Sequence, residues 1–140
     1  MTTCRWRVVA QTLGLILLSG CGLSGPKRVT VSGQVTLDGA PFTGGVMSFS
    51  PEISKGNKLN LAAIGPVQNG KYNLRTLAIR GEESGPGAPL GWYRVALDTT
   101  LSGENLKVAE RFKDASKSPV LIEVVENPAP GAYDLKFTSK

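Results

Sequence analysis

Histidine is absent from all 140 residues, cysteine occurs only twice, and aromatic side chains make up 6% of the chain. Without histidine there can be no Ser-His-Asp or Cys-His nucleophile, no histidine general base and no histidine-ligated zinc. Charged residues are also few, at 19% against 41% hydrophobic, which excludes a disordered polyelectrolyte. Long apolar runs are missing as well: none reaches the roughly 18 residues from which a membrane-spanning helix is read. What is plentiful is glycine and proline, 17 and 9 residues, which divide the chain into short segments of the kind that build β proteins rather than helix bundles. The length suits one domain with a short appendage.

The appendage is N-terminal. Arg5 and Arg7 precede a mainly apolar stretch from Val8 to Leu18, too short to cross the roughly 30 Å of bilayer hydrocarbon as a helix but suited to the apolar centre of an export signal. Leu18-Ser19-Gly20-Cys21 follows and resembles the bacterial lipobox, in which cleavage between Gly20 and Cys21 leaves a diacylated cysteine as the first mature residue. Small residues before the cut admit the peptidase, and only a thiol can take the thioether-linked lipid. The alternative is an ordinary secretory signal with Cys21 incidental. The expected organisation is a signal peptide over 1–20, a lipidated tether over 21–28 and a domain over 29–140. Cys4 would leave with the signal and Cys21 would be alkylated, so no thiol remains for a disulfide. Losing Arg5 and Arg7 takes 16 basic residues to 14 against 11 acidic, a net charge of +3 in place of +5. That is too weak and dispersed for nucleic acid.

The domain reads as strands. Val29, Val31, Val35 and Leu37 alternate with polar residues at period two, and Asp38-Gly39 supplies a turn. Further strands are expected over Val46 to Ser50, around Leu59, Leu61 and Ala63, after the Asn69-Gly70 hairpin signal, over Tyr93 to Leu97, over Val120 to Val124 and over Tyr133 to Phe137. Pro51 to Lys58 and Gly81 to Gly91 read as loops, and Thr99 to Ser118 as irregular with a helical turn near Leu106 to Phe112. The fold class is therefore all-β, an antiparallel sandwich of about seven strands. Gly70-Lys71-Tyr72, Gly91-Trp92-Tyr93 and Gly131-Ala132-Tyr133 each continue with a polar and then an aliphatic residue. We read this as glycine relieving a turn while tyrosine packs inward with its hydroxyl near the wet end of the sandwich. The competing reading has three tyrosines lining a sugar-binding face.

Val31 to Pro41 (VSGQVTLDGAP) with Gly45-Val46-Met47-Ser48-Phe49, Gly87 to Val95 (GAPLGWYRV), and Arg111 to Ala115 with Tyr133-Asp134-Leu135 together resemble the carboxypeptidase regulatory-like, or transthyretin-like, β-sandwich domains, most closely those of small planctomycete lipoproteins. The resemblance covers Val29 to Phe137. It implies a prealbumin-like (Ig-like) sandwich and carries over no catalytic residue, metal or cofactor.

Other candidate sites compete with plain surface roles. Glu82 and Glu83, with Ser84 and Asp98, could begin a calcium site, but no alternating ligand ladder accompanies them and a solvated loop is favoured. Lys107, Arg111, Lys113 and Lys117 could face anionic polymer or headgroups, yet Glu104, Glu110 and Asp114 are interspersed. An isopeptide crosslink between Lys27 and Asp134 is disfavoured because Asp134 alternates outward. Trp92, opposite Tyr93 in the alternation, is the candidate binding residue. The expected function is a lipid-anchored, exported, non-enzymatic module of the cell envelope. Its partners would be the membrane, through Cys21, and an envelope polymer or protein. A carbohydrate- or peptide-binding module is the alternative and a small envelope enzyme the least favoured. Gly22 after the lipidated cysteine, in place of an aspartate, favours the outer membrane.

Overall fold

The computed structural model describes residues 25–77, 84–100, 102 and 106–140. Gly20, Cys21, Glu82 and Glu83 lie outside the described residues. Twelve strands follow in order: β1 Arg28–Val29, β2 Ser32–Leu37, β3 Ala40–Pro41, β4 Val46–Pro51, β5 Ala63–Gln68, β6 Lys71–Asn73, β7 Arg75–Thr76, β8 Gly85–Pro86, β9 Ala88–Pro89, β10 Gly91–Asp98, β11 Leu121–Val124 and β12 Leu135–Phe137. Among the described residues the helical pieces are a single 3-10 turn, Ile53–Lys55, and α1, Glu110–Lys113. Among the described residues no helix is long and apolar enough to cross a membrane.

The main hydrogen-bonded path runs β11-β10-β4-β5-β6-β2-β12 and curls so that its inner face closes on one core, an all-β sandwich. The fold happens within β5. Ala63 and Ile64 pair with β7, whereas Val67 and Gln68 pair with β6. Gly65 sits at this corner because a Cβ there would lie 2.2 Å from the Asn73 carbonyl oxygen, closer than any side chain allows. All ladders are antiparallel except the last: β12 lies parallel to β2, Leu135 opposite Val35 and Phe137 opposite Leu37. The segment from Val125 to Asp134 carries the chain from β11 at one end of this path to β12 at the other.

The core is continuous from Val31 and Val35 through Met47, Phe49, Tyr72, Tyr93, Val95 and Leu97 to Leu135 and Phe137. The Phe49 ring lies 6.0 Å from the rings of both Tyr72 and Tyr93, and Phe112 of α1 meets Phe137 edge-on at 5.2 Å. Among the described residues, every core residue lies between Val29 and Phe137.

Local departures from the strand pattern have physical causes. The alternation from Val29 to Leu37 is divided: β1 pairs with β9 and β2 with β6, the chain changing partners at Thr30 and Val31 while the inward residues stay inward. Around Leu59 there is no strand. Asn60 adopts φ +48, which breaks the extended run, and pairing begins only at Ala63. The Gly81 to Gly91 stretch, expected as loop, contributes β8 and β9. Within the 21–28 segment, Lys27 is ion-paired to Glu126 and Arg28 is already in β1.

Candidate functional site

The three repeated glycines behave as their sequence context suggests, with φ of +68 at Gly70, +135 at Gly91 and +73 at Gly131. The tyrosines that follow are all buried. Their hydroxyls are satisfied by backbone: Tyr72 donates to the Tyr133 carbonyl at 2.7 Å, and Tyr93 donates to the Pro89 carbonyl at 3.1 Å. Tyr133 accepts from the Val125 N–H at 3.1 Å. Rings sealed in the core cannot stack on a ligand, so the sugar-face reading of these tyrosines is wrong.

Trp92 is different. It stands near the start of β10 on the outer face, partly buried, opposite Glu123 of β11. The loop after β4 is folded over it. Glu52 donates its backbone N–H to the Trp92 carbonyl at 2.9 Å, and the buried Asn57 side chain donates Nδ2 to the same oxygen at 2.9 Å. Gly56, at φ +89, closes the 3-10 turn between them. The result places Lys55 Nζ 4.5 Å from the centroid of the Trp92 ring, a cation–π contact worth about 0.5–1 kcal/mol in such an exposed setting. Beside it, Arg94 donates Nε to Glu52 Oε2 at 2.7 Å and Nη1 to the Ser118 carbonyl at 2.9 Å. Trp92 was legible from alternation alone. Glu52, Asn57 and Arg94 were not, although Glu52 capping Ser54 is a recognisable turn signal.

The carboxylates here are partnered. Hydrogen bonds from Ser54, then from Arg94, hold the Glu52 carboxyl below its ordinary value of 4.5, so it is a poor proton acceptor at neutral pH. Asp98 is occupied by Thr100, and Asp114 by Ser116 and Lys117; both carboxyls are lowered, chiefly by the hydroxyl hydrogen bonds. Of the basic residues after Leu106, Lys113 pairs with Glu110 and Arg111 donates to the Lys140 carbonyl. Lys27 is taken by Glu126 and Asp134 accepts from the Gln34 N–H, so the two are not brought together. Two open troughs of about 350 and 310 Å³ share Lys71 and Tyr72 along β6 and β2. They are too shallow to enclose most of a small ligand.

A pH profile follows with opposite signs at its two ends. Carboxyls held low in the folded state, at Asp38, Glu52, Asp98 and Asp114, contribute stability that is present above the ordinary carboxylate range and is lost as pH falls below it. Burial pushes the Tyr72 and Tyr93 phenols up, so their contribution is present below the ordinary value of 10.0 and is lost as pH rises past it. With no histidine to titrate between them, the urea midpoint of residues 25–140 is expected to be flat from about pH 5 to 9 and to fall on both sides. A step near neutrality would contradict this.

No family model, curated protein or solved structure matches this chain.

Proposed function

We propose that the protein is exported, anchored by lipid on Cys21, and acts as a non-enzymatic structural or interaction module of the cell envelope. The observation that carries this reading is the sequence from Arg5 to Cys21, where a basic start, a short apolar run and a lipobox occur in order. The resemblance to carboxypeptidase regulatory-like lipoproteins supports it. By its Gly22 the outer membrane is favoured.

The partly exposed Trp92 ring favours a second reading, a carbohydrate- or peptide-binding module. One side of that ring already carries Lys55, so a sugar would have to displace the ammonium or use the other side. A glycan and peptide array probed with residues 25–140 separates the readings. The structural reading expects no hit that depends on Trp92. A specific hit lost in Trp92→Ala would establish the binding module instead.

A further inference from the structure

The described residues contain three large apolar side chains that stay exposed: Ile53 at 66%, Leu59 at 45% and Leu77 at 41%. All three lie at one end of the sandwich. Ile53 and Leu59 belong to the loop pinned to the Trp92 carbonyl, at the start of β10. Leu77 follows β7, its N–H bonded to the Ala62 carbonyl beside the start of β5. The N-terminal segment joins the domain at the same end, since Arg28 pairs with Pro89 just before β10 and Lys27 is ion-paired to Glu126 just after β11. The opposite end holds the Asp38-Gly39 and Asn69-Gly70 turns, Asp98 and the C-terminal residues, with no exposed large apolar side chain among the described residues.

We propose that this end is the face the domain lays on a phospholipid bilayer, with Ile53 and Leu59 entering the interface and Lys55, Lys58 and Trp92 at headgroup level. The proposal rests on the lipid anchor at Cys21. From Cys21 to Gly25 the chain has four Cα–Cα steps, so even fully extended it spans only about 14 Å. From Cys21 to Arg28, where the chain enters β1, there are seven such steps, about 25 Å at full extension. An acylated Cys21 therefore holds this end against the headgroups, where exposed aliphatic side chains gain by leaving water and lysines meet anionic lipid. Tryptophan favours that same interfacial depth. A bilayer thus accounts for the clustering of apolar exposure at the anchored end, which a freely solvated domain would not need.

The test supplies the anchor chemically. Residues 25–140 contain one tryptophan, Trp92, and no cysteine. A cysteine added before Gly25 is coupled to maleimide lipid in phosphatidylcholine vesicles containing phosphatidylglycerol, and Trp92 emission is read with lipids spin-labelled at the headgroup or deep in the chain. The expected result is quenching by the headgroup label and a blue shift, both lost in Ile53→Ser/Leu59→Ser. Without the coupling, the same pair of changes is expected to weaken vesicle binding about tenfold or more. Lys55→Glu/Lys58→Glu, which alters charge alone, should lower binding only to the anionic vesicles. Absence of quenching in the coupled protein would overturn the proposal, as would concentration-dependent dimerisation abolished by Ile53→Ser, which assigns the face to a second copy. Failure here with Cys21 acylated in the native protein indicts the face; an unmodified Cys21 indicts the anchor and removes the proposal with it.

Discussion

Cys21→Ser is expected to abolish incorporation of labelled fatty acid and to leave an uncut precursor, because serine offers no thiol to the lipid donor and the cleaving peptidase acts on the acylated form. The effect on location should be large. Each buried methylene contributes about 0.8 kcal/mol; one acyl chain alone holds a protein only marginally, whereas the two chains of a diacylglycerol hold it stably. Residues 22–140 behind an ordinary secretory signal should therefore fractionate as soluble protein. The apolar loop at the anchored end would leave at most weak, salt-sensitive membrane association. Stable retention of that lipid-free form in the membrane fraction would show that something other than Cys21 holds it.

Phe49→Ala is expected to be the most damaging single change in the domain. Phe49 is fully buried in β4 and its ring bridges Tyr72 of β6 and Tyr93 of β10, so it joins the two layers. Truncating a buried phenylalanine costs about 3–5 kcal/mol through lost transfer energy and the cavity left behind. Two aromatic contacts add to that. Since small domains have only about 5–15 kcal/mol in total, urea denaturation should show a sharply lowered midpoint or an unfolded variant. Residues 25–140 contain no cysteine, so no disulfide within them offsets the loss. Ile53→Ser, by contrast, should change stability by no more than about 0.5 kcal/mol, since its side chain is mostly in water. A loss at Ile53 comparable with that at Phe49 would mean the loop is part of the core.

The strand framework was legible because period-two alternation survives wherever one face is buried. Met47 and Phe49 in β4, Tyr93, Val95 and Leu97 in β10, and Leu135 and Phe137 in β12 all point inward as their spacing requires. Alternation says nothing about which edge a strand pairs with. That is why the partner change between β1 and β2, and the parallel pairing of β12, could not be read from it. Short strands built from glycine and proline carry turn signals instead of strand signals. Ala88 is buried and paired, yet Gly85-Pro86-Gly87-Ala88-Pro89 looks like a loop.

At the candidate site the limit was different. Trp92 follows from alternation, but the loop above it is set by long-range contacts, Asn57 reaching Trp92 and Glu52 reaching Arg94, which no local pattern encodes. Leu59 is instructive. Its apolar character suggested a core strand, whereas the left-handed Asn60 turns the chain and leaves Leu59 exposed while Leu61 is buried. A hydrophobic residue that fails to become core is then available for another apolar medium. That is the physical link between the misread strand and the proposed bilayer face.

Intact mass spectrometry of the protein extracted from its own membranes, with fragmentation of the N-terminal peptide, bears most directly on this account. The account predicts that the chain starts at Cys21 and that its sulfur carries diacylglycerol. A chain starting elsewhere, or at Cys21 with a free thiol, would contradict it.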